Sequence, residues 1–177
     1  MRIYDWHRID YADPGLFQHK QAAKSKFGRG IFPTTAIRGC IDGTAATASW
    51  KILDLSPDSA ALFGLSVLSD EAVVEDWAEA RKRGKVWYLL LRGEDVGGGA
   101  LMNGPSPVSE VRGRAHKGAR IDIAWEGGEL SFHLISSGAK HRHPLGSIPV
   151  ACDPDAPARF VAQVWKKGDA LQLLDLS

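Results

Sequence analysis

Two short runs of alternating apolar residues, parted by a pair of glycines, constrain this chain more than any other feature. In ARIDIAW, Ile121, Ile123 and Trp125 alternate with Asp122 and Ala124; in ELSFHLI, Leu130, Phe132 and Leu134 alternate with Ser131 and His133. A period of two is the pattern of a strand with one face covered and one face wet. Gly127-Gly128 between the runs suits a two-residue hairpin turn. With those glycines as the loop, Glu126 faces Glu129, Trp125 faces Leu130, Ile123 faces Phe132 and Ile121 faces Leu134. A slip of one residue would turn every apolar side chain to the wrong face, so the register is determined.

The rest of the chain reads mostly as strand. Ala45 to Leu55 is rich in Thr, Ala, Trp and Ile and suits one strand or two. Ser56-Pro57-Asp58 reads as an N-cap and first turn of a helix ending before Gly64. Leu65 to Leu68 is a short apolar strand, and Val86 to Leu91 a strand covered on both sides. Gly97-Gly98-Gly99 and Asn103-Gly104-Pro105 carry turn chemistry. Asp70 to Arg83 is predicted as a helix: Ser69 caps it, Gly84 ends it, and Val73, Val74, Trp77 and Ala80 give it one apolar face. A second hairpin is predicted over Phe160 to Leu176, turning at Lys166 to Asp169. Phe160, Ala162 and Val164 form its core face, with Trp165 directed outward. Tyr4 and Trp6 suit a short opening strand, and Gln18 to Arg29 a loop or short exposed helix. The expected fold is a mainly β, antiparallel sandwich with one inserted helix near 70–83. It forms one domain over 1–177, in which 1–34 is an N-terminal extension or opening strand.

Composition narrows the function classes. A chain of 177 residues, 44% apolar, can bury a core without metals or disulfides. A formal net charge of +1 argues against a general polyanion binder. The opening MRIYDWHRID is charged where a signal peptide is apolar, and Val86 to Leu91 is too short to span a bilayer. Cys40 and Cys152 read as reduced thiols, with pairing depending on whether they meet in space. Cytoplasmic or nuclear placement follows as an expectation, with no membrane, nucleic-acid or cofactor partner.

The segment ARIDIAWEGGELSFHLISSG resembles the strongest motif of SPRY domains: a strand ending near an acidic residue, a glycine turn, then Leu-Ser-Phe on the return strand. A loop and a proline segment, Pro144 to Pro149, follow it as in that family. RFVAQVWKKGDALQLL is similar to the SPRY closing hairpin, and GCIDGTAATASWKILDL with LFGLSV to its Trp-bearing strand and the next one. The resemblance runs from about Gly39 to Leu174 and is strongest over residues 119–174. It implies a concanavalin-like sandwich that binds segments of other proteins through loops at one end, without catalysis. Asp122 departs from the small or apolar residue usual at its position.

Several clusters carry residue types capable of chemistry. His141 and His143 are too few ligands for zinc and sit beside Lys140 and Arg142. Asp122 and His133 face each other across the first hairpin, as two members of a hydrolytic triad would. No nucleophile motif accompanies them, so a cross-strand polar pair is the expectation. Glu126 and Glu129 are opposed as a retaining glycosidase needs, but at an exposed hairpin tip. Gly97-Gly98-Gly99 lacks the Lys-Ser/Thr of a phosphate loop. What remains is a gathering of cations near the open ends of the first hairpin: Arg112, Arg114, His116 and Lys117 on one side, Lys140 to His143 on the other. The favoured reading is a non-catalytic protein-interaction module that takes a short, acidic or mixed peptide on Trp165, Lys166, Lys167, Arg112, Arg114, Lys117, Lys140 and Arg142. The alternative is a carbohydrate-binding or hydrolytic concanavalin-like domain.

Overall fold

The structure is a computed structural model that describes residues 9–11, 21–25, 30–33, 45–67, 81–83, 85–151 and 158–177. The strands are β1 Ile9–Tyr11, β2 Gln21–Ser25, β3 Gly30–Pro33, β4 Ala46–Asp54, β5 Ala60–Ser66, β6 Val86–Arg92 and β7 Gly99–Asn103. They continue as β8 Ser106–Val111, β9 Arg120–Glu126, β10 Glu129–Ile135, β11 His143–Pro149, β12 Arg159–Val164 and β13 Ala170–Leu176. Among the described residues one sheet has seven strands, in the order β1-β2-β13-β4-β9-β10-β11, and the other has six, β3-β12-β5-β6-β7-β8. All pairings are antiparallel.

The hairpin β9–β10 has the register that its alternation demands, with Trp125 opposite Leu130, Ile123 opposite Phe132 and Ile121 opposite Leu134. Gly127 and Gly128 make its turn with φ of 58° and 79°, values costly for residues bearing a Cβ. Its apolar face closes on the six-stranded sheet. Ile121, Ile123, Trp125, Leu130, Phe132 and Leu134 are buried together with Phe63, Leu65, Trp87, Leu89 and Leu91. Val86 to Leu91 lies within β6, which is buried along most of its length, as a strand covered on both faces should be.

Residues 160–176 do not form a hairpin. β12 pairs with β3 and β5 in one sheet, whereas β13 pairs with β2 and β4 in the other. The chain turns a corner and crosses the sandwich. Phe160, Ala162 and Val164 face the main core as expected, and Leu171 and Leu173 meet it from the opposite sheet. The second face of β12 is covered too: Val161 is packed in a second cluster with Leu62, Val86, Tyr88 and Met102, and Gln163 is fully buried.

Two other expectations are corrected. Pro57 and Asp58 form a turn, not a helix, and the strand begins at Ala60. The segment that follows is buried almost throughout, which a short surface helix would not allow. Gln21–Ser25, expected as loop or helix, is a strand because β13 offers it a partner edge. Of the helix expected over 70–83, only Arg81 to Arg83 are described, and Arg81 and Lys82 are helical. The remainder lies outside the described residues, as do Tyr4, Trp6, Cys40 and Cys152. Among the described residues no helix is long and apolar enough to cross a membrane.

Candidate functional site

The corner between β12 and β13 organises one end of the sandwich. Its keystone is Asp169, 1% exposed. Asp169 accepts hydrogen bonds from the Ser56 backbone N–H at 2.8 Å, the Ser56 hydroxyl at 2.9 Å, the Ser59 hydroxyl at 2.6 Å and the Lys166 N–H at 2.9 Å. The corner is thereby tied to the Ser56–Ser59 turn, and Lys166 reinforces the tie by pairing with Asp58. That turn is joined to the next loop, since Gly93 donates to the Ser59 carbonyl and Asp95 to the Pro57 carbonyl. The Ala115 N–H donates to the Arg92 carbonyl, while the Arg114 side chain lies against Gly97. Gly118 donates to the Ile52 carbonyl and abuts Ser137. Five loops therefore form one continuous rim, at the end of the sandwich opposite the Gly127-Gly128 turn.

All the cations expected at a binding surface lie along this rim, but in different states. Arg112, Arg114, Lys117, Lys140 and Lys167 are exposed and have no ion-pair partner among the described residues. Lys166 is engaged by Asp58. Arg142 bends back onto the outer face of the seven-stranded sheet, with its Nε 3.4 Å from the Asp122 carboxylate. Trp165 points away from the main core. It is not freely exposed: it is partly buried and packed against the cluster of Tyr88 and Val161. His116 turns its ring toward the Arg114 carbonyl, 3.2 Å away.

The rim also holds residues that were not singled out from the sequence. Val96 is 61% exposed, one of the few large apolar side chains among the described residues left in solvent. It sits beside Glu94 and Asp95 on a loop closed by Gly97 and Gly98. A lone valine between acidic residues and glycines was the available signal. Asp169 carried little local signal: Lys166 lies three residues away, but its partners Ser56 and Ser59 are more than a hundred residues away in the chain.

The Asp122–His133 pair is corrected by the geometry. The two are opposed in register, yet Asp122 is bonded elsewhere. It accepts from Ser49 Oγ at 2.8 Å and from Arg120 Nε and Nη2, both at 2.8 Å. His133 Nδ1 is buried and has no hydrogen-bond partner among the described residues. The order of groups is serine–aspartate–arginine, so His133 is not placed as a base between Asp122 and a serine. Glu126 and Glu129 are directly opposed, and Glu129 accepts from Ser147 on the neighbouring strand.

Charge states follow from these contacts. Burial alone would raise the Asp122 pKa, but the hydrogen bonds from Arg120 and Ser49 and the charges of Arg120 and Arg142 outweigh it and hold the carboxyl below its ordinary value. Burial, then the charge of Arg142, lowers the His133 pKa below 6.5, against the opposing pull of Asp122. The unfolded chain therefore takes up the His133 proton first. Stability falls as pH drops below the ordinary histidine value and levels off beneath the folded one. Asp122 has the opposite sense of shift relative to its charged form: its contribution is present above the ordinary carboxyl range and is lost as pH falls through the lowered folded value. Melting temperatures recorded against pH should decline across the histidine range, and His133→Gln should flatten that decline. An unchanged slope in the variant would show that His133 is not the group responsible.

No family model and no curated protein matches this sequence. Solved structures do. The SPRY domain of human HERC1 superposes with a TM-score of 0.59 at 13% identity, over 88% of each chain. The TRIM65 PSpry domain gives 0.55 at 11% identity, over 96% of this chain and 92% of its own. A Bacillus subtilis protein with a galectin-like fold gives 0.61 at 11% identity, over 96% and 84%. At such identities the likeness speaks to architecture alone. Together with the two antiparallel sheets, it shows that this chain has the SPRY-type β-sandwich fold.

Proposed function

We propose that this chain is a non-catalytic protein-interaction module whose rim grips a short acidic or mixed peptide segment of a partner. The observation that carries this reading is the set of exposed cations Arg112, Arg114, Lys117, Lys140 and Lys167. They are gathered on hydrogen-bonded loops at one end of a chain whose formal net charge is only +1. Long-range attraction from such a patch steers an acidic ligand and sets its orientation. Apolar anchorage is at hand in Val96 and the partly buried Trp165. Truncating a central aromatic anchor typically costs about 2 kcal/mol or more of binding energy.

Selection from a displayed random-peptide library on the immobilised chain tests the proposal, followed by affinity measurement on the recovered peptides. Asp- and Glu-containing sequences should be enriched. Trp165→Ala should weaken them by about tenfold or more while the variant remains folded. Lys167→Glu should mainly slow association and flatten its salt dependence. Peptides indifferent to charge reversal at Lys117 and Lys167 would overturn this reading, as would selective binding of glycans by the same surface.

A further inference from the structure

The outer face of the seven-stranded sheet holds a second charged constellation, beside the rim but built on strands. Asp122 lies on the solvent side of β9, yet its side chain is only 9% exposed because two guanidinium groups and Ser49 close over it. Arg120 makes two parallel bonds, one to each carboxylate oxygen. The guanidiniums themselves are far from spent. The Arg120 and Arg142 side chains are 42% and 54% exposed, and each has five N–H donors in a planar fork suited to carboxylate. Arg142 commits only its Nε edge, and that at 3.4 Å. Lys51 pairs with Arg120 in register and adds a cation, while Asp175, opposite Ser49, offsets one.

His133 completes the group. It stands opposite Asp122 on β10, with its buried Nδ1 unmatched among the described residues. A buried polar atom without a partner is costly, so His133 is short of one hydrogen-bonding group. The neighbouring outward residues of the sheet, Thr47, Ser49, Ala124, Ser131 and Ser147, are small. They give the constellation a low floor that an extended chain can cross to reach the forks. A metal cation is disfavoured by the guanidiniums, and those five residues offer no aromatic ring on which a sugar could stack.

We propose that Arg120 and Arg142, held in place by Asp122, form with His133 beside them a binding site for the side-chain carboxylate of an Asp or Glu in an extended partner segment. The site rests on the peptide-binding reading and deepens it: the acidic segment runs from the rim onto the sheet face, with Arg142 as the link. Asp122 is a positioning residue. It holds both guanidiniums beside one carboxylate, and a ligand carboxylate takes the donors that Asp122 leaves.

The test is a titration followed by NMR, observing backbone amides, arginine Nε–H groups and histidine ring signals. The probe is a short peptide alternating Asp and Gly, N-acetylated and C-amidated so that only side chains supply carboxylates. Its Asn–Gly counterpart is the control. Saturable shifts of Arg120, Arg142 and His133 signals with the Asp peptide alone are expected. Arg142→Gln should raise the Kd about tenfold, and Arg142→Lys, which keeps charge without the fork, should recover only part of the loss. Asp122→Asn should weaken binding despite removing a negative charge, the opposite of what simple electrostatics requires. Shifts confined to Lys117, Lys167 and Trp165 would overturn this site and leave the rim reading standing. No shift anywhere would overturn both. Equal shifts with inorganic phosphate at lower concentration would overturn the carboxylate assignment.

Discussion

Phe132→Ala should destabilise the protein by about 3–5 kcal/mol, the range for truncating a fully enclosed aromatic side chain. Phe132 is 0% exposed. It stands between Ile123 on β9 and Gly146 on β11, on the face that meets the opposite sheet. Alanine would leave a cavity that the surrounding strands cannot close, because both sheets are held by ladder hydrogen bonds at fixed spacing. The measure is urea denaturation of wild type and variant at constant slope, read through the midpoint. Its neighbour Ser131 points outward and makes only a 3.4 Å contact to the Ala124 carbonyl. Ser131→Ala should therefore stay within about 0.5 kcal/mol of wild type. Similar losses for the two variants would show that the buried face of the hairpin has been misassigned.

Asp169→Ala is expected to be comparably damaging, by about 3 kcal/mol or more, for a different reason. The carboxylate is 1% exposed and satisfies the Ser56 and Lys166 amides and the Ser56 and Ser59 hydroxyls. Removing it leaves those donors without their acceptor in a place water reaches poorly, and each unsatisfied buried group costs about 1–3 kcal/mol. Asp169→Asn keeps the shape but turns one acceptor into a donor, so it should recover part of the loss. Amide hydrogen exchange at Ser56 and Lys166 provides the specific check. Both should lose protection in the alanine variant while the β9–β10 amides keep theirs. A loss below about 1 kcal/mol, the scale of tolerated surface changes, would mean that the corner does not depend on this carboxylate.

The first hairpin was legible in the sequence down to its register because all its determinants are local. Ile121 to Leu134 carry the alternation, and Gly127-Gly128 supply the only backbone conformation the turn requires. Val86 to Leu91 was legible for the same reason, its unbroken apolar run permitting little but a strand covered on both faces. The cations of the rim were legible as residues, and the open ends of the hairpin gave their common location.

The segment Phe160 to Leu176 was read wrongly because alternation reports which face of a strand is buried and says nothing about which strand lies beside it. Two strands joined by a short turn have the same apolar spacing whether they pair in one sheet or cross between two. Tertiary structure decided the matter through Asp169, whose acceptors clamp the corner to Ser56 and Ser59, and through β3 and β5, which occupy both edges of β12. The same limit explains Gln21–Ser25, which becomes a strand only because β13 presents an edge to it. It also explains Asp122, whose sequence neighbours suggest an exposed polar pair with His133. Arg120 is close in sequence, but Ser49 and Arg142 arrive from another strand and a loop, and the three together bury the charge. Local pattern determined the strands of the first hairpin and of Val86 to Leu91, the core face of Phe160 to Val164, and one turn. Pairing between distant segments determined the sheet order, the corner and the charged constellation, because hydrogen bonds and ion pairs across the fold join residues whose separation in the chain leaves no periodic trace.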